Sequence, residues 1–424
     1  MVTVKNISSM SIAELQYALE LGELTPSGIV EASLNRISEL NDQIKAFVAW
    51  NPDKARKAAL EAPKGPLYGI PFGVKDVLDT IDYPTAYGSS IYTDHQPASN
   101  AACVNMAHAS GAVLLGKVAT GEFATQTPSA ARNPLRTTHT PGGSSSGSAA
   151  AVAAGMVPFA FGTQTTASIV RPAIYCGVSG FKPTLGYFPA AGLKALSPMQ
   201  DTIGLIAATV PDIATVALGL HGQTRPVTAC GPLRIAVVQS RQWDYLRPGM
   251  ANTIERYAAN LSAQGHKVHY LRLPATLEVA ITMQPRLFMY EARLTLSNEY
   301  TRHKDQLSVK LRNRLDEGKT VSFDDYMAMR SHVRDCVLAL NNLFEQADLL
   351  LYPAAAGEAD EGLESAGDAR FGALWTLMHA PSVSFPVEIG ASGLPLGVQL
   401  IGKPEADAAL LSMACLLAPE TTRV

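Results

Sequence analysis

The sequence has no excess of basic residues. Its 424 residues include 34 Lys and Arg against 37 Asp and Glu, which gives a formal net charge of −3. A protein that binds nucleic acid or an anionic membrane by electrostatics would carry a basic surplus or stripe. With 47% hydrophobic residues, the chain has ample apolar mass for a buried core. We therefore predict a globular protein whose partner is a small molecule, and neither nucleic acid nor a membrane.

Cysteines are few, and their spacing indicates no disulfide bond between them. The five are scattered and include no C-x-x-C motif: Cys103, Cys176, Cys230, Cys336 and Cys415. This pattern is typical of reduced, packed thiols, so we expect a cytoplasmic protein without disulfide bonds.

Long apolar segments are also missing. The most apolar stretch, residues 149–161, is only 13 residues long and contains Gly155 and Pro158. A transmembrane helix needs about 20 apolar residues. The N-terminus lacks the apolar core of a signal peptide. The sequence therefore predicts a soluble chain.

Motifs that hold metals or dinucleotides are absent as well. The nine histidines are scattered, and the close pair His266 and His269 has no H-E-x-x-H motif or cysteine pair beside it. No G-x-G-x-x-G fingerprint follows a strand candidate. We therefore expect no metal ion and no cofactor.

Apolar periodicity predicts helices at the N-terminus and then an alternation of strands and helices. Ser11 and Glu14 form a capping box, and Thr25 with Pro26 begins a second helix. From about residue 65, short apolar runs are separated by Gly and Pro, which favours an α/β fold with a parallel or mixed sheet. We predict strands at residues 70–74, 112–116, 233–238, 267–273, 349–352 and 398–401, and helices at residues 102–110, 253–262 and through 280–344.

The most unusual composition lies in residues 137–155, where a Gly-Gly pair precedes three serines and a small-residue helix pattern. Two generic hydrolase motifs occur here and nearby. Residues 143–147 fit G-x-S-x-G, but the preceding segment is polar and ends at Pro141 instead of forming an apolar strand. Residues 179–182 fit S-x-x-K, but its partner motifs are missing. Neither motif by itself is favoured.

A combination of longer runs resembles the amidase signature family. It comprises GIPFGVKD at 69–76, PGGSSSGSAAAVAAG at 141–155, GTQTTASIVRP at 162–172, CGVSGFKPT at 176–184, DTIG at 201–204 and GLPLGVQ at 393–399. These runs are spread over nearly the whole chain, and their combination is specific. In length, and around Arg171 and residues 375–378, the sequence is most similar to the bacterial malonamidase branch.

The resemblance implies a catalytic triad. Lys75 matches the catalytic lysine, Ser144 the bridging serine that follows a cis peptide bond, and Ser168 the acylated nucleophile. The chemistry agrees, because a serine hydroxyl needs a base and Ser-Lys arrangements are a known substitute for Ser-His-Asp. A free lysine has a pKa near 10.4, so burial must lower the pKa of Lys75 before it can accept a proton.

The sequence departs from the family pattern just before the nucleophile. The family usually has two glycines there, where this chain has Thr166 and Ala167. Backbone N–H groups survive the change, so Thr165, Thr166 and Ala167 could still form an oxyanion hole. A β-branched threonine is poorly tolerated at positive φ, so we expect either a reshaped acyl pocket or reduced activity.

Arg171 lies three residues after Ser168, where the malonamidase-like branch carries an arginine that pairs with a substrate carboxylate. A guanidinium suits bidentate carboxylate binding, although a structural pairing with a buried acid is the alternative. We therefore predict an amidohydrolase that converts a small carboxamide with a carboxylate on the acyl side to an acid and ammonia.

Other functions stay open at this point. The chain could be a glutaminase-type component of an amidotransferase, a hydrolase of an ester or of a urea- or carbamate-type substrate, or a degenerate homologue without activity. For the cytoplasmic enzyme we expect a homodimer.

The family resemblance also predicts the architecture. Length alone would suggest two or three domains, but motifs between Lys75 and Gln399 must converge on one site. We expect a single α/β domain over residues 1–424, with a central mixed sheet covered by helices on both faces. Within it we predict an N-terminal helical layer at 1–60, a core at 65–210, a mostly helical outer layer at 230–345 and a return to the core at 346–424.

Overall fold

The computed structural model describes residues 7–223 and 231–419, so Cys230 lies outside the described part. An eleven-stranded mixed sheet runs through the molecule in the order β1-β3-β2-β4-β6-β5-β10-β11-β9-β7-β8. The strands are β1 Phe47–Trp50, β2 Pro71–Lys75, β3 Val113–Val118, β4 Phe159–Gln164, β5 Ser179–Lys182, β6 Thr202–Ala207, β7 Arg234–Gln239, β8 Lys267–Arg272, β9 Leu349–Pro353, β10 Ser382–Ile389 and β11 Pro395–Ile401.

Helices flank this sheet and connect its strands. Four short 3₁₀ turns join them, at Ser90–Tyr92, Glu122–Ala124, Arg241–Tyr245 and Lys304–Gln306. The α-helices are α1 Ile12–Glu20, α2 Pro26–Ile44, α3 Pro52–Glu61, α4 Ala102–Ala109, α5 Ser146–Ala153, α6 Val170–Tyr175, α7 Val210–Leu220, α8 Met250–Ala263, α9 Ala275–Thr295, α10 Ser297–Arg302, α11 Val309–Gly318, α12 Phe323–Gln346, α13 Arg370–Leu377 and α14 Asp407–Leu417.

In the central part of the sheet both faces are covered, and alternate side chains of a strand enter different hydrophobic cores. In β6, Leu205 packs into the core that contains α1, α7 and α14, whereas Ile206 packs under α2 and α5. In β7, Ile235 joins the first core, and Ala236 faces α9, α12 and α13. The predicted fold, a single α/β domain with helices on both faces of a mixed sheet, is confirmed.

Strand pairing at the centre of the sheet brings the sequence motifs together. β2 runs parallel to both β3 and β4, and β4 is antiparallel to β6. Parallel neighbours end at the same edge of a sheet, so the ends of β2 and β4 lie side by side. Lys75 closes β2 and Gln164 closes β4, which places both motif segments at this edge.

The predicted strands at residues 70–74, 112–116, 233–238, 267–273, 349–352 and 398–401 are all confirmed within a few residues. Five strands were not predicted, namely β1, β4, β5, β6 and β10. β4 (FAFGTQ) and β6 (TIGLIA) are buried at every position and contain a glycine. They therefore show neither the alternation nor the unbroken β-branched run that marks a strand in sequence.

No helix within residues 7–223 and 231–419 has the length and apolar character that crossing a bilayer requires. The four described cysteines, Cys103, Cys176, Cys336 and Cys415, are free thiols.

Candidate active site

Lys75 lies at the centre of a buried hydrogen-bond network. Its Nζ is 2.8 Å from Ser144 Oγ, 2.8 Å from Thr163 Oγ1 and 3.3 Å from the Thr163 carbonyl oxygen. The side chain is fully buried. Burial lowers the pKa of Lys75 well below its ordinary value, and the nearby Asp201 carboxylate opposes this only in part. A neutral amine keeps two N–H bonds, which Thr163 can accept, and one lone pair for the hydroxyl proton of Ser144.

Ser144 belongs to a loop that is fastened to the sheet. The Gly143–Ser144 peptide bond is cis, as the resemblance implied. The Ser144 carbonyl accepts a hydrogen bond from the N–H of Gly121 at 3.3 Å. Next in the chain, Ser145 Oγ donates to the Thr163 carbonyl at 3.1 Å and accepts from the Thr163 N–H at 3.2 Å. The loop and β4 therefore hold each other in place around Lys75.

The turn that carries Ser168 follows β4 and is held by Gln164. The side-chain oxygen of Gln164 accepts hydrogen bonds from the N–H groups of Ile169 at 2.8 Å and Val170 at 3.1 Å. Its side-chain nitrogen donates to Thr376 Oγ1 at 2.9 Å, and Thr376 Oγ1 donates to the Thr166 carbonyl at 2.9 Å. Ser168 itself is half-buried and faces a cleft. Gln164 and Thr376 thus clamp both ends of the nucleophile turn.

Thr166 and Ala167 fit this turn without a positive φ. Neither residue is among the described residues with a positive φ, so the steric objection to a threonine at this position does not arise. Gly372 packs directly against them: a Cβ atom at Gly372 would lie 2.6 Å from the Thr166 carbonyl and 2.8 Å from Ala167 Cβ. The extra side chains at 166 and 167 are therefore accommodated by a glycine on the helix opposite.

A cleft of about 540 Å³ opens above Ser144 and Ser168. We call the side formed by the nucleophile turn and the serine loop the catalytic wall. Its lining residues are Ser144, Thr165, Thr166, Ser168 and Arg171. The opposite side, which we call the facing wall, is built from the 241–245 turn, α9, α11 and residues 368–373. Its main lining residues are Arg241, Gln242, Tyr245, Glu278, Ile281, Gln284, Pro285, Phe288, Arg314, Asp368 and Arg370.

Arg171 lies on the catalytic wall and is 4% exposed. Its Nη1 donates to the Gly367 carbonyl at 2.8 Å, and its Nη2 donates to the carbonyl of Gly143. Burial lowers its pKa. No carboxylate of the described residues forms an ion pair with this guanidinium, and its Nε has no hydrogen-bond partner there. Arg171 is therefore a buried cation without a direct ion pair, and it borders the cleft; the carboxylates of Asp368 and Asp360 oppose the effect of burial on its pKa only in part.

Asp201 supports the catalytic wall from behind. Its carboxylate accepts hydrogen bonds from Thr165 Oγ1 at 2.6 Å and from the N–H groups of Leu196 and Ser197 at 2.7 and 2.8 Å. Burial raises the pKa of Asp201 to about 6, although these hydrogen bonds counteract the shift. The carboxylate fixes Thr165 and supplies the charge nearest to Lys75.

Sequence reasoning missed several residues that this site uses. Thr163 and Gln164 stand inside a quoted motif, five and four residues before Ser168, but they were assigned no role. The hydroxyl of Thr163 and the amide of Gln164 stand close in sequence to the predicted nucleophile, and this proximity is a signal for a supporting role. Thr376 stands in the stretch 375–378 that carries the family resemblance, but nothing in the sequence links it to the nucleophile turn. The facing wall gave no comparable signal, because only the tertiary fold brings it to that turn.

The mostly helical outer layer at residues 230–345 stays a prediction, and its helix α9 has a buried side that reaches the site. Gln284 is 3% exposed, and its Nε2 donates to Gln200 Oε1 at 2.7 Å and lies 3.4 Å from Thr166 Oγ1. The charged residues of α9 gave the impression of a solvent-facing helix, whereas its other side forms the facing wall.

Of the two generic hydrolase motifs, G-x-S-x-G contributes Ser144 to the cleft, whereas the S-x-x-K run lies outside it. Lys182 of the S-x-x-K run is buried in β5, and its Nζ donates to the Pro183 carbonyl at 2.8 Å. Burial lowers its pKa to about 7. Across the described ranges, no group of three or more His, Cys, Asp or Glu side chains is arranged to hold a metal ion.

Known proteins are similar to this chain in sequence and in structure. Residues 28–411 match the family described as Amidase. The chain is 31% identical to a glutamyl-tRNA(Gln) amidotransferase component of Chloroflexus aggregans, over 95% of this chain and 94% of that protein. It is 28% identical to 2-amino-5-chloromuconic acid deaminase of Comamonas testosteroni, over 96% of each chain. Native peptide amidase from Stenotrophomonas maltophilia superposes with a TM-score of 0.81 at 28% identity, covering 96% of each chain.

The fold, the site and these similarities define an enzyme that hydrolyses the C–N bond of an amide. The chain belongs to the amidase signature family.

Proposed function

We propose that the protein is an amidohydrolase that forms an acyl-enzyme on Ser168 and releases ammonia. The observation that carries this proposal is the buried Lys75, whose Nζ is 2.8 Å from Ser144 Oγ. Because burial lowers the pKa of Lys75 well below its ordinary value, this amine is suited to act as the base. Ser144 lines the same cleft as Ser168 and can pass the proton on.

In the first half of the reaction, Ser168 Oγ bonds to the amide carbon, and its proton moves to Ser144 while the proton of Ser144 moves to Lys75. The main-chain N–H groups of Thr165, Thr166 and Ala167 stabilise the oxyanion. When the C–N bond breaks, the proton returns through Ser144 to the departing nitrogen, and ammonia leaves. Water then attacks the ester on Ser168 by the same route and releases the acid.

The substrate in this proposal is an amide with a carboxylate on its acyl side. Arg171 supports it, because a buried guanidinium without an anionic partner is costly and a substrate carboxylate would neutralise it. The arginine already uses two donors on backbone carbonyls, so it binds the carboxylate mainly through its charge and its remaining Nε. The deaminase from Comamonas testosteroni is likewise named for an acidic substrate.

A glutaminase-type component of an amidotransferase is the second candidate, since a curated relative is named as part of such an enzyme. Glutamine brings an α-ammonium group, which a free carboxylate in the cleft would bind. Glu278 and Asp368 are the carboxylates among the main lining residues, which include four arginines on the two walls. Glu278 accepts from the Arg241 N–H at 2.9 Å, and Asp368 pairs with Arg370 at 2.6 Å. The charge left over in the cleft is cationic, which favours the hydrolase of an anionic amide.

Ammonia release from a panel of amides tests the proposal. We expect turnover of malonamate and other monoamides of dicarboxylic acids, and weaker turnover of neutral amides, esters and urea derivatives. A fluorophosphonate probe should label Ser168, and Lys75→Ala should abolish the labelling. Ser179→Ala is the matched control, because Ser179 is a buried serine of the S-x-x-K run outside the cleft. Labelling that survives in Ser168→Ala would refute the assignment of the nucleophile.

Arg171→Ala tests the prediction of a carboxylate on the acyl side of the substrate separately from the assignment of the nucleophile and the base. We expect KM for malonamate to rise by about tenfold or more, with a much smaller effect on KM for a neutral amide such as butyramide. Because Arg171 also donates to the Gly143 carbonyl, kcat should fall for both substrates. Equal changes of KM for both would refute carboxylate binding by Arg171. The cytoplasmic location, the homodimer and the independence from cofactors stay predictions.

A further inference from the structure

The mouth of the cleft carries more positive than negative charge. Its ionisable lining residues are Arg171, Arg241, Arg314, Arg370, Glu278 and Asp368. This excess contrasts with the net charge of −3 for the whole chain. A cleft that differs in sign from the molecule around it attracts ligands of the opposite charge.

Two of the arginines at the mouth already have partners. The Arg370 guanidinium lies 3.5 Å from the centroid of the Tyr245 ring and pairs with Asp368 at 2.6 Å. Arg314 donates to Gln126 Oε1 at 3.0 Å and lies 3.6 Å from Glu317. These contacts hold both side chains against the protein, so neither offers a free guanidinium to a ligand.

Arg241 differs from both. Its side chain is exposed, and within the described ranges its guanidinium forms neither an ion pair nor a hydrogen bond with another side chain. Glu278 lines the cleft beside it, but this carboxylate accepts from the backbone N–H of Arg241 at 2.9 Å. Glu278 keeps its negative charge near Arg241, but the donors of the Arg241 guanidinium are not occupied by another side chain of the described residues and can reach a ligand in the cleft.

The backbone that carries Arg241 is held firmly. Ser240 caps the 241–245 turn by accepting from the Gln242 N–H at 3.2 Å. Gln242 is 6% exposed, accepts from Tyr352 Oη at 2.9 Å and donates to the Arg370 carbonyl at 3.1 Å. A guanidinium on such a base loses less conformational freedom on binding than one on a mobile loop.

The part of the facing wall contributed by α9 includes three apolar side chains. Ile281, Pro285 and Phe288 line the cleft there. The cleft volume of about 540 Å³ is in the range that holds drug-sized ligands, far more than a three-carbon monoamide fills. The cleft therefore has room for a substrate with an apolar chain beyond its reacting group.

We propose that Arg241 is a specificity-determining residue that binds a second anionic group of the substrate, remote from the scissile amide. The substrate class is then a primary amide with two carboxylates, one near Arg171 and one at the end of a short carbon chain that reaches Arg241. This inference rests on the proposed function and adds the length and the second charge of the substrate.

The test compares two pairs of synthetic amides. Each pair has a malonamate head, and its members differ only in a remote carboxylate: 2-carbamoylglutarate with 2-carbamoylpentanoate, and 2-carbamoyladipate with 2-carbamoylhexanoate. For the wild type we expect the diacid of at least one pair to have a kcat/KM about tenfold higher, mainly through KM. Added salt should shrink this ratio, because Arg241 is exposed.

Arg241→Gln should bring the ratio close to one for both pairs by raising KM of the diacids, and Arg241→Lys should keep part of the preference. Arg272→Ala is the matched control, an exposed arginine that does not line the cleft. A diacid preference that survives in Arg241→Gln, or its absence from the wild type, overturns the role of Arg241. Failure of the proposed function looks different: no amide would release ammonia, and no probe would label Ser168.

Discussion

The two walls of the cleft are built on opposite principles. On the catalytic wall, Lys75 and Ser144 are almost completely buried, and hydroxyl groups and backbone carbonyls satisfy them. On the facing wall, Arg241 and Tyr245 are exposed, and Arg370 is held by an aromatic ring and a carboxylate. Burial sets the proton affinity of a base, whereas an exposed charge mainly contributes attraction that salt can screen.

This difference teaches where chemistry and selectivity reside. Changes on the catalytic wall should lower kcat for every amide, because they alter the base or the position of the nucleophile. Changes on the facing wall should alter KM and the choice of substrate. The following predictions test whether the two walls differ in this way.

The largest effect is expected for Lys75→Met, which keeps the buried volume and removes the base. We expect kcat to fall by about 10³-fold or more for all amides. Lys182→Met is the matched control, since Lys182 is also fully buried and has a lowered pKa, but lies outside the cleft. Steady-state ammonia release from both variants decides the matter. Similar losses in both would show that a buried lysine matters for stability and not for chemistry.

A smaller effect is expected for Thr376→Val, which breaks the clamp between α13 and the nucleophile turn. The variant leaves the Thr166 carbonyl and the Gln164 side chain without the Thr376 hydroxyl. We expect kcat to fall by about tenfold or more, because a displaced nucleophile turn misaligns the reacting atoms. The free energy of unfolding should fall by about 1–3 kcal/mol. An unchanged kcat with lowered stability would show that the clamp supports only the fold.

Lys75 should also leave a signature in the pH dependence of stability. Its pKa in the folded state is well below its ordinary value of 10.5, so between these two values the unfolded chain binds one more proton than the folded one. The contribution of Lys75 to the free energy of unfolding therefore rises as the pH increases toward 10.5. Denaturant titrations of the wild type and Lys75→Met at about pH 7 and about pH 10 measure it. The free energy of unfolding of the wild type should increase relative to that of the variant at the higher pH. An equal change in both proteins would contradict a buried lysine with a lowered pKa.

The smallest effect is expected for Thr166→Gly, which restores the residue type usual in the family. Because Thr166 has no positive φ, the glycine relieves no strain. We expect the free energy of unfolding to fall by about 0.4–1 kcal/mol through added freedom of the unfolded chain. Activity should stay within about threefold of the wild type. A rise in kcat of tenfold or more would mean that the threonine does restrict the acyl pocket.

The sequence was sufficient for much of the fold and for the positions of the motif residues. Apolar runs bounded by Gly and Pro identified six strands, including β2, which ends at Lys75. Buried strands with internal glycines, such as β4 and β6, carry no periodic signal of their own. The order of strands was beyond reach, because pairing depends on side-chain packing across residues far apart in the chain.

For the candidate site, the sequence by itself determined which residue types stand in the signature runs, and the proposal of a serine nucleophile and a lysine base rests on them. Only the tertiary structure decided that Lys75 is buried without a carboxylate in contact, since desolvation depends on every element packed around the amine. It also decided that α9 and the 241–245 turn close the cleft opposite Ser168. These segments lie more than seventy residues beyond the nucleophile, and nothing in their local sequence marks them as neighbours.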